Sequence, residues 1–362
     1  MSKKVIVKGD TNKSIVELLR HLLESGEVDA VFTLGKTGDG LNYLFITDPG
    51  KLDSAEPLSP YMPANAANLL SELTAVGPMP SKVAAVIRPC ELRGFVERVK
   101  RQQANRENIV FISPVCSGVL RVDSLAEGRY ESELAGYWSA AEKLEDASEN
   151  RPNCTTCEHF IPYNADITIV IEKGKVAFYT NNDEAEKLLK GAPGEATDGE
   201  LDKKTFDTIN KKRTETREKM FAELGTEQFG IEGLVRTFGK CIGCHGCSSV
   251  CPICYCELCT FESRDLEPVP ATFDSELAKR GAVRVPPNTI LYHLGRLTHM
   301  GVSCVGCGMC SDVCPADIPV SQIFTKVGNA IQNVFSYIPG KDYDEEVPLL
   351  KFELEELEEV ED

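Results

Sequence analysis

The sequence predicts an α/β (α+β) N-terminal domain with a mixed or parallel sheet, followed by a smaller cysteine-rich module with helical extensions. The first observation is the order strand, helix, strand over residues 82–112, which is typical of a βαβ unit with two parallel strands. The second is a pair of matching cysteine runs at 241–252 and 304–315. The third is the length of 362 residues, which suggests two or three domains.

The chain divides into four predicted parts. They are residues 1–200, the α/β domain; residues 201–234, a linker helix; residues 235–330, the cysteine-rich module with an insertion at 260–300; and residues 331–362, an acidic tail. Helical spacing of Phe206, Ile209 and Phe221 predicts the linker helix. For the Glu-rich end we expect a solvated, frayed tail, and the alternative is a short docking helix. That helix would use Leu354, Leu357 and Val360.

The first fifty residues predict three strands and one helix. Short apolar runs at 5–7, 29–34 and 43–47 are typical of strands. The apolar residues of 11–23 recur at helical spacing, and Asp10 or Thr11 can cap the start of that helix. Together these segments predict a sheet that begins at the N-terminus.

Two segments of the α/β domain are candidates for contact with a flavin. The glycine-rich segment 35–40 predicts a plain hairpin turn, and the alternative is an approach to a phosphate or flavin through Gly35 and Lys36. A second helix is predicted from about residue 64, where small residues lie beside Asn65 and Asn68. Small residues at a helix start suit a flat ring or a phosphate, although a packed helix explains them equally well.

Cys90 and Cys116 follow the two strands of the βαβ unit. The strands are predicted at 82–87 and 109–112, with a helix at 94–101 between them. Both cysteines therefore lie just past the carboxyl ends of strands, where open α/β sheets place their sites. The alternative is that both are inert core thiols.

A further pair, Cys154 and Cys157, precedes strands predicted at 165–171 and 175–179. A C-x2-C pair by itself is compatible with a redox pair, half of a zinc site or half of a cluster site. With Cys90 and Cys116 it makes four cysteines in one domain, a count that suits one iron–sulfur cluster.

The two runs both read C-x2-C-x2-C-x3-C-P, the pattern that holds iron–sulfur clusters in bacterial-type ferredoxins. In proteins with two such runs the fourth cysteine binds the other cluster, and we expect it at the start of a helix. One 4Fe-4S cluster is therefore assigned to Cys241, Cys244, Cys247 and Cys314, and the other to Cys304, Cys307, Cys310 and Cys251. Zinc is the alternative, but it does not explain the third and fourth cysteines at these offsets before proline.

Three cysteines follow the first run closely: Cys254, Cys256 and Cys259. They are candidates for a further cluster or metal site, but three ligands alone do not complete a tetrahedral site. The alternative is that they are spare thiols beside the first cluster. Helical spacing over 289–301 predicts a helix that leads into the second run.

Composition limits the classes of function. The net charge is −17 and no basic block is present, which argues against a nucleic-acid partner. The sequence contains no run of 18 or more apolar residues, so it predicts no membrane span. No apolar signal region follows the N-terminus, and we therefore expect a cytoplasmic protein. Fifteen cysteines without a secretory signal favour metal binding in a reducing compartment over disulfides. No triad or paired-carboxylate arrangement stands out, so no catalytic residue is assigned.

Three segments resemble the core of the beta subunits of coenzyme F420-dependent hydrogenases and formate dehydrogenases. They are Arg88-Pro-Cys-Glu-Leu-Arg93, Ser113-Pro-Val-Cys-Ser-Gly118, and Cys154-Thr-Thr-Cys157 with the following Ala165-Asp-Ile167. The resemblance covers about residues 30–180 and 235–325. It implies a flavin and iron–sulfur protein in which Cys90, Cys116, Cys154 and Cys157 bind a third 4Fe-4S cluster close to an FAD. The C-terminal part also resembles electron-transfer subunits associated with heterodisulfide reductase and anaerobic sulfite reductase.

The resemblance implies an electron-transfer beta subunit of an anaerobic oxidoreductase complex. Such a subunit passes electrons between a flavin, three clusters and a partner catalytic subunit. The hydride carrier would be F420 or NAD(P)H. The alternative is a flavin-free iron–sulfur relay that links two other subunits and has no hydride chemistry of its own.

Overall fold

The computed structural model describes residues 3–38, 40–126, 129–172, 174–225, 230–263, 269–283 and 285–350. The frayed tail or docking helix expected at 353–362 lies outside the described residues. Within these ranges, none of the helices combines the length and apolar character needed to cross a membrane.

The described part of the N-terminal domain contains one eight-stranded mixed sheet. The strands are β1 (Lys3–Lys8), β2 (Ala30–Thr37), β3 (Gly40–Ile46), β4 (Val83–Val86), β5 (Ile109–Pro114), β6 (Ile167–Glu172), β7 (Lys175–Thr180) and β8 (Glu195–Asp198). Their order across the sheet is β3-β2-β4-β5-β6-β7-β1-β8. The neighbours β2, β4, β5 and β6 pair in parallel, and the remaining pairs are antiparallel. The predicted fold class, with a mixed sheet around a parallel βαβ unit, is confirmed.

Helices cover the sheet and build the C-terminal part. They are α1 (Thr11–Glu24), α2 (Ala66–Leu73), α3 (Pro89–Lys100), α4 (Asp123–Ala126), α5 (Tyr130–Ala141), α6 (Pro152–Thr155), α7 (Asp183–Leu188), α8 (Lys203–Glu223), α9 (Ile231–Phe238), α10 (Gly246–Ser249), α11 (Pro270–Arg280), α12 (Thr289–Met300), α13 (Met309–Asp312) and α14 (Val320–Val334). After β8, the described residues form helices and loops and no strand. The cysteine-rich module is therefore helical over the part that the structure describes.

α1 shows how local sequence produces the fold. The Asp10 side chain accepts a hydrogen bond from the backbone N–H of Lys13 at 2.9 Å, which satisfies one of the free donors of the first turn. The apolar face of the helix, which includes Leu18 and Leu22, is fully buried against the sheet. Both the helix and its cap agree with the sequence-based expectation.

α3 begins at Pro89, five residues before the predicted start at 94. Proline at the first helical position loses no hydrogen bond, because the N–H groups of the first turn have no partner within the helix. The Glu91 carboxylate accepts the Arg88 N–H at 2.9 Å and the Ala66 N–H at 2.8 Å, so it holds the start of α3 against the start of α2. Cys90 consequently lies in the first turn of α3.

Buried arginines of α3 join the sheet domain to the cysteine-rich module. Arg93 donates to the carbonyl oxygen of Val305 at 3.1 Å, and Arg98 donates to that of Pro252 at 2.5 Å. Gly94 allows this close approach, because a Cβ there would lie 3.2 Å from the Pro252 ring and would push it away. The module thus packs directly on the helix that carries Cys90.

The segment after α14 also packs on α3. Glu97, which is 0% exposed, accepts hydrogen bonds from the Tyr337 hydroxyl and from the backbone N–H of Gly340. Arg93 donates to the carbonyl oxygen of Pro339 at 2.7 Å. Within the region predicted as an acidic tail, these contacts fix residues 337–340 on the N-terminal domain.

Candidate metal centres

The two cysteine runs fold in the same way. Gly243 and Gly306 occupy equivalent positions and both have φ +69°, a left-handed conformation that glycine adopts without strain. His245 and Gly308 are also equivalent, with φ +55° and +82°, and each is followed by one short helix, α10 or α13. The repeat seen in the sequence is therefore a repeat of backbone geometry.

The fourth cysteine of each run follows a short helix, and the expectation that it starts one is wrong. Cys251 comes after α10, and Cys314 comes after α13. The helical turn begins directly after the left-handed residue, His245 or Gly308, and therefore before the third cysteine. The three residues between the third and fourth cysteines contain the end of that turn.

We name the groups assigned from sequence site A (Cys241, Cys244, Cys247 and Cys314), site B (Cys251, Cys304, Cys307 and Cys310) and site C (Cys90, Cys116, Cys154 and Cys157). In site A, burial raises the pKa of the Cys247 thiol, and the nearby Cys241 and Cys314 raise it further. Cys244 is exposed, so site A reaches the surface. The structure thus brings Cys314 of the second run near Cys247 of the first.

The four cysteines of site B line one cavity. Its wall also contains Phe324, Met300 and Arg296. Burial raises the pKa of Cys304 to about 11 and that of Cys307 to about 12. Cys251 of the first run contributes to both shifts, so it lies among the thiols of the second run.

Site C lies beside site B. Cys90 and Cys154 pack with Cys307 around the apolar side chains of Met62, Val119 and Met309. Burial raises the pKa of Cys90 well above its usual value, and Cys307, Cys116 and Cys154 are among the groups that raise it further. Burial raises the pKa of Cys154 to about 11, and the nearby Cys116 and Cys157 are among the groups that raise it further. The structure thus gathers four cysteines from three distant segments of the sequence.

Backbone N–H groups hydrogen-bond to the cysteine sulfurs in all three sites. The N–H of Gly243 lies 3.4 Å from Cys241 Sγ, and the N–H of Gly118 lies 3.4 Å from Cys116 Sγ. The backbone N–H of the residue two positions later also lowers the pKa of Cys157, Cys251, Cys304 and Cys307. Hydrogen bonds to sulfur are a principal control of cluster properties. Site C therefore shares a local backbone feature with the two runs.

Buried arginines contact the cysteine segments, and sequence reasoning missed them. Arg88 lies 3.9 Å from Cys116 Sγ, Arg151 donates to the Cys307 carbonyl oxygen at 2.9 Å, and Arg213 of α8 donates to the carbonyl oxygens of Cys116 and Cys157 at 3.4 Å each. Two sequence signals existed. Arg88 and Arg151 precede Cys90 and Cys154 by two and three residues, and Arg213 continues the apolar face of Phe206 and Ile209. The predicted linker helix thus packs on site C.

The three additional cysteines line one pocket beside site B. Cys254, Cys256 and Cys259 share it with His299 and Arg101. Cys254 Sγ lies 3.0 Å from the sulfur of Met300, and Cys256 is exposed. Within the described ranges, no three or more His, Cys, Asp or Glu side chains converge in the geometry that one metal ion needs.

The four residues proposed for a flavin lie in two elements. Gly35 belongs to β2, where a Cβ would lie 2.4 Å from Leu44 Cδ1, and Lys36 forms an ion pair with Glu56 at 3.3 Å. Asn65 caps α2 by accepting the Ala67 N–H at 3.0 Å, while Asn68 accepts from Arg98 at 2.8 Å. The buried Nδ2 of Asn65 has no hydrogen-bond partner in the part of the chain that the structure describes, so this atom can serve a ligand. Protein contacts account for the other three.

Two of the relatives of this chain match it over nearly its whole length. The F420-dependent formate dehydrogenase subunit beta of Methanocaldococcus jannaschii is 26% identical over 379 residues, covering 93% of this chain and 94% of the relative. The F420-dependent formate dehydrogenase 1 subunit beta of Methanococcus maripaludis is 28% identical over 391 residues, covering 96% and 95%. The sulfhydrogenase 2 subunit beta of Pyrococcus furiosus is 33% identical over 102 residues, covering 24% and 30%.

No family model matches the chain. A solved chain of the F420-reducing [NiFe] hydrogenase complex from Methanosarcina barkeri shares 14% identity at a TM-score of 0.45, covering 64% of this chain and 94% of that one. The two long matches confirm the resemblance predicted from the cysteine motifs. Over nearly its whole length, the chain is similar to the beta subunits of F420-dependent formate dehydrogenases.

Proposed function

We propose that the chain is the electron-transfer beta subunit of an anaerobic oxidoreductase complex, with 4Fe-4S clusters at sites A, B and C. The supporting observation is that the sites are contiguous: Cys90 and Cys154 of site C pack with Cys307 of site B, and Cys251 of site B belongs to the same run as three ligands of site A. The relatives are named as subunits of F420-dependent enzymes, so we propose a partner catalytic subunit and F420 as the hydride carrier.

The donor set fits cubane clusters. Each site has four thiols, and the corners of a cubane stand apart, so its ligands need not converge on one point as the ligands of a single ion do. The thiols of site B line an apolar cavity, and backbone N–H groups point at cysteine sulfurs in each site. Burial raises the pKa of several of these thiols, so free of metal they are neutral and weakly nucleophilic.

A bound cluster supplies one-electron transfer, and the chain supplies its environment. The apolar side chains of Met62, Val119 and Met309 exclude water between sites B and C. Cys244 is exposed, so site A is the end of the series that a partner protein can approach. The sites would therefore act in the order C, B, A, or the reverse.

The resemblance is the basis for proposing a flavin near site C. The buried Nδ2 of Asn65 supports this proposal, because it is a hydrogen-bond donor available to a ligand. A flavin exchanges a hydride with a two-electron carrier and electrons singly with clusters. We leave Gly35, Lys36 and Asn68 out of this role, because their protein contacts already explain them.

The protein contacts of Gly35, Lys36 and Asn68 favour a second candidate function, a flavin-free relay that links two other subunits. Under this reading, sites A, B and C remain, and the hydride chemistry belongs to a partner. The two candidates differ in one measurable quantity, the amount of flavin released from denatured protein.

The test is the content of iron, zinc and flavin per chain in protein purified without air. The proposal predicts about twelve irons and one flavin. About twelve irons without flavin would select the relay. Zinc in place of iron would contradict both and indicate a structural adaptor.

A further inference from the structure

Arg296 of α12 is buried between sites A and B. It is 3% exposed, and its guanidinium makes two contacts to one cysteine. Nη1 lies 3.0 Å from Cys247 Sγ, and Nη2 lies 3.0 Å from the Cys247 carbonyl oxygen. Among the hydrogen bonds described to cysteine sulfurs, this is the arginine contact that is short enough to be strong.

The same side chain forms part of the wall of site B. It lines the cavity that Cys251, Cys304, Cys307 and Cys310 share. Its guanidinium carbon lies 5.5 Å from the ring centre of Tyr292 and 5.2 Å from that of Phe324. Arg296 therefore contacts a ligand of one site and borders the other.

The surroundings of Arg296 differ from those of two other buried arginines that contact cysteine segments, Arg151 and Arg213. Arg151 is paired with the Asp312 carboxylate at 2.6 Å, and Arg213 with Asp146 at 2.7 Å. Among the described residues, the groups around the Arg296 guanidinium are thiols, a carbonyl oxygen and aromatic rings, and none of them hydrogen-bonds to its Nε. A buried cation is costly unless negative charge balances it. An anionic centre at site A or B would provide that charge.

We propose that Arg296 positions and electrostatically stabilises the clusters of sites A and B, and that it raises their reduction potentials. This inference rests on the proposed clusters at those sites. Reduction adds one negative charge to a cluster, so a fixed positive charge and a hydrogen bond to a ligand sulfur stabilise the reduced state more than the oxidised state. The effect should be larger at site A, whose ligand Arg296 contacts directly.

The test compares Arg296→Met and Arg296→Lys with the wild-type chain by anaerobic iron analysis and a redox titration followed by electron paramagnetic resonance. Arg296→Met removes the charge and the hydrogen bond, so both potentials should move to more negative values, that of site A further. Arg296→Lys keeps the charge but cannot reproduce the two-point contact, so a smaller negative shift confined to site A is expected. Arg20→Gln, which removes an exposed charge paired with Asp53, is the control and should leave both potentials unchanged.

The outcomes separate the inference from the proposed function. A wild-type chain that binds no iron contradicts the clusters themselves. Full iron content with wild-type potentials in both Arg296 variants overturns the role of Arg296, as does a shift no larger than that of Arg20→Gln. If Arg296→Met loses iron, Arg296→Lys decides: a shifted potential at site A supports the inference, and an unchanged one overturns it.

Discussion

Individual backbone N–H groups hydrogen-bond to the sulfurs of cysteines two positions earlier, and this contact occurs in both runs and in site C. At Cys241 and Cys304 the N–H belongs to a glycine in a left-handed conformation, Gly243 or Gly306. At the scale of single residues, the spacing of the cysteines and the intervening glycines identifies sites A and B from sequence.

Exchange of the fourth cysteine between the runs gives the first prediction. Cys247→Ser and Cys314→Ser should each remove the same cluster, because both side chains lie in site A. Each variant should lose about four irons and the same signal in electron paramagnetic resonance spectra. Cys251→Ser is the matched comparison, since it belongs to the first run but lies among the thiols of site B, and it should remove the other signal. Loss of different signals by Cys247→Ser and Cys314→Ser would contradict the assignment.

The arginines could not be predicted in the same way. Arg213 and Arg296 contact cysteines that are 49 to 97 positions away in the chain, so no local pattern indicates the pairing. The one sequence signal of these two arginines is a charged residue on the apolar face of a helix. An arginine that packs its aliphatic stem on that face and keeps its guanidinium in water would give the same signal.

At the scale of elements, α3 organises the molecule. Its first turn carries Cys90, its middle packs on Pro252 through Gly94, and its last turns hold the segment after α14 through Glu97. The sequence predicted the strands on either side of it well, because short apolar runs between turn residues are a strong signal. The helix start is poorly predicted, since Arg88 is not a usual N-cap residue and a proline is compatible both with the loop before a helix and with its first turn.

Glu97→Ala tests the docking of the C-terminal segment. The change leaves the Tyr337 hydroxyl and the Gly340 N–H without their buried acceptor, which should destabilise this contact by about 1–3 kcal/mol. Hydrogen exchange of residues 337–347 should become faster in this variant. Glu17→Ala, on the exposed side of α1, is the control and should change stability by less than about 0.5 kcal/mol. Unchanged exchange over 337–347 would show that Glu97 does not hold the segment.

At the scale of the whole molecule, the sheet domain and the helical module share one internal face, which contains site C, site B and the buried ion pair of Arg151 with Asp312. The sequence indicated both parts but not this face. Composition and local pattern indicate which elements each part contains. The internal face depends instead on contacts between residues far apart in the sequence, such as the hydrogen bond from Arg93 to the carbonyl oxygen of Val305. The burial of Tyr337 and Val347 could not be predicted from the acidic character of residues 331–362, because net charge does not indicate which single apolar residues are buried.

Cys90 and Cys154 of the N-terminal domain pack beside Cys307 of the second run, and we propose that this domain holds a third cluster there. The most direct test is the iron content of the Cys154→Ser variant beside the wild-type chain, both purified without air. Cys154 lies in site C and outside both runs, so the account predicts about twelve irons in the wild type and about eight in the variant, with the signals of sites A and B preserved. Equal iron content in the two proteins would contradict the account and return Cys90, Cys116, Cys154 and Cys157 to the role of structural thiols.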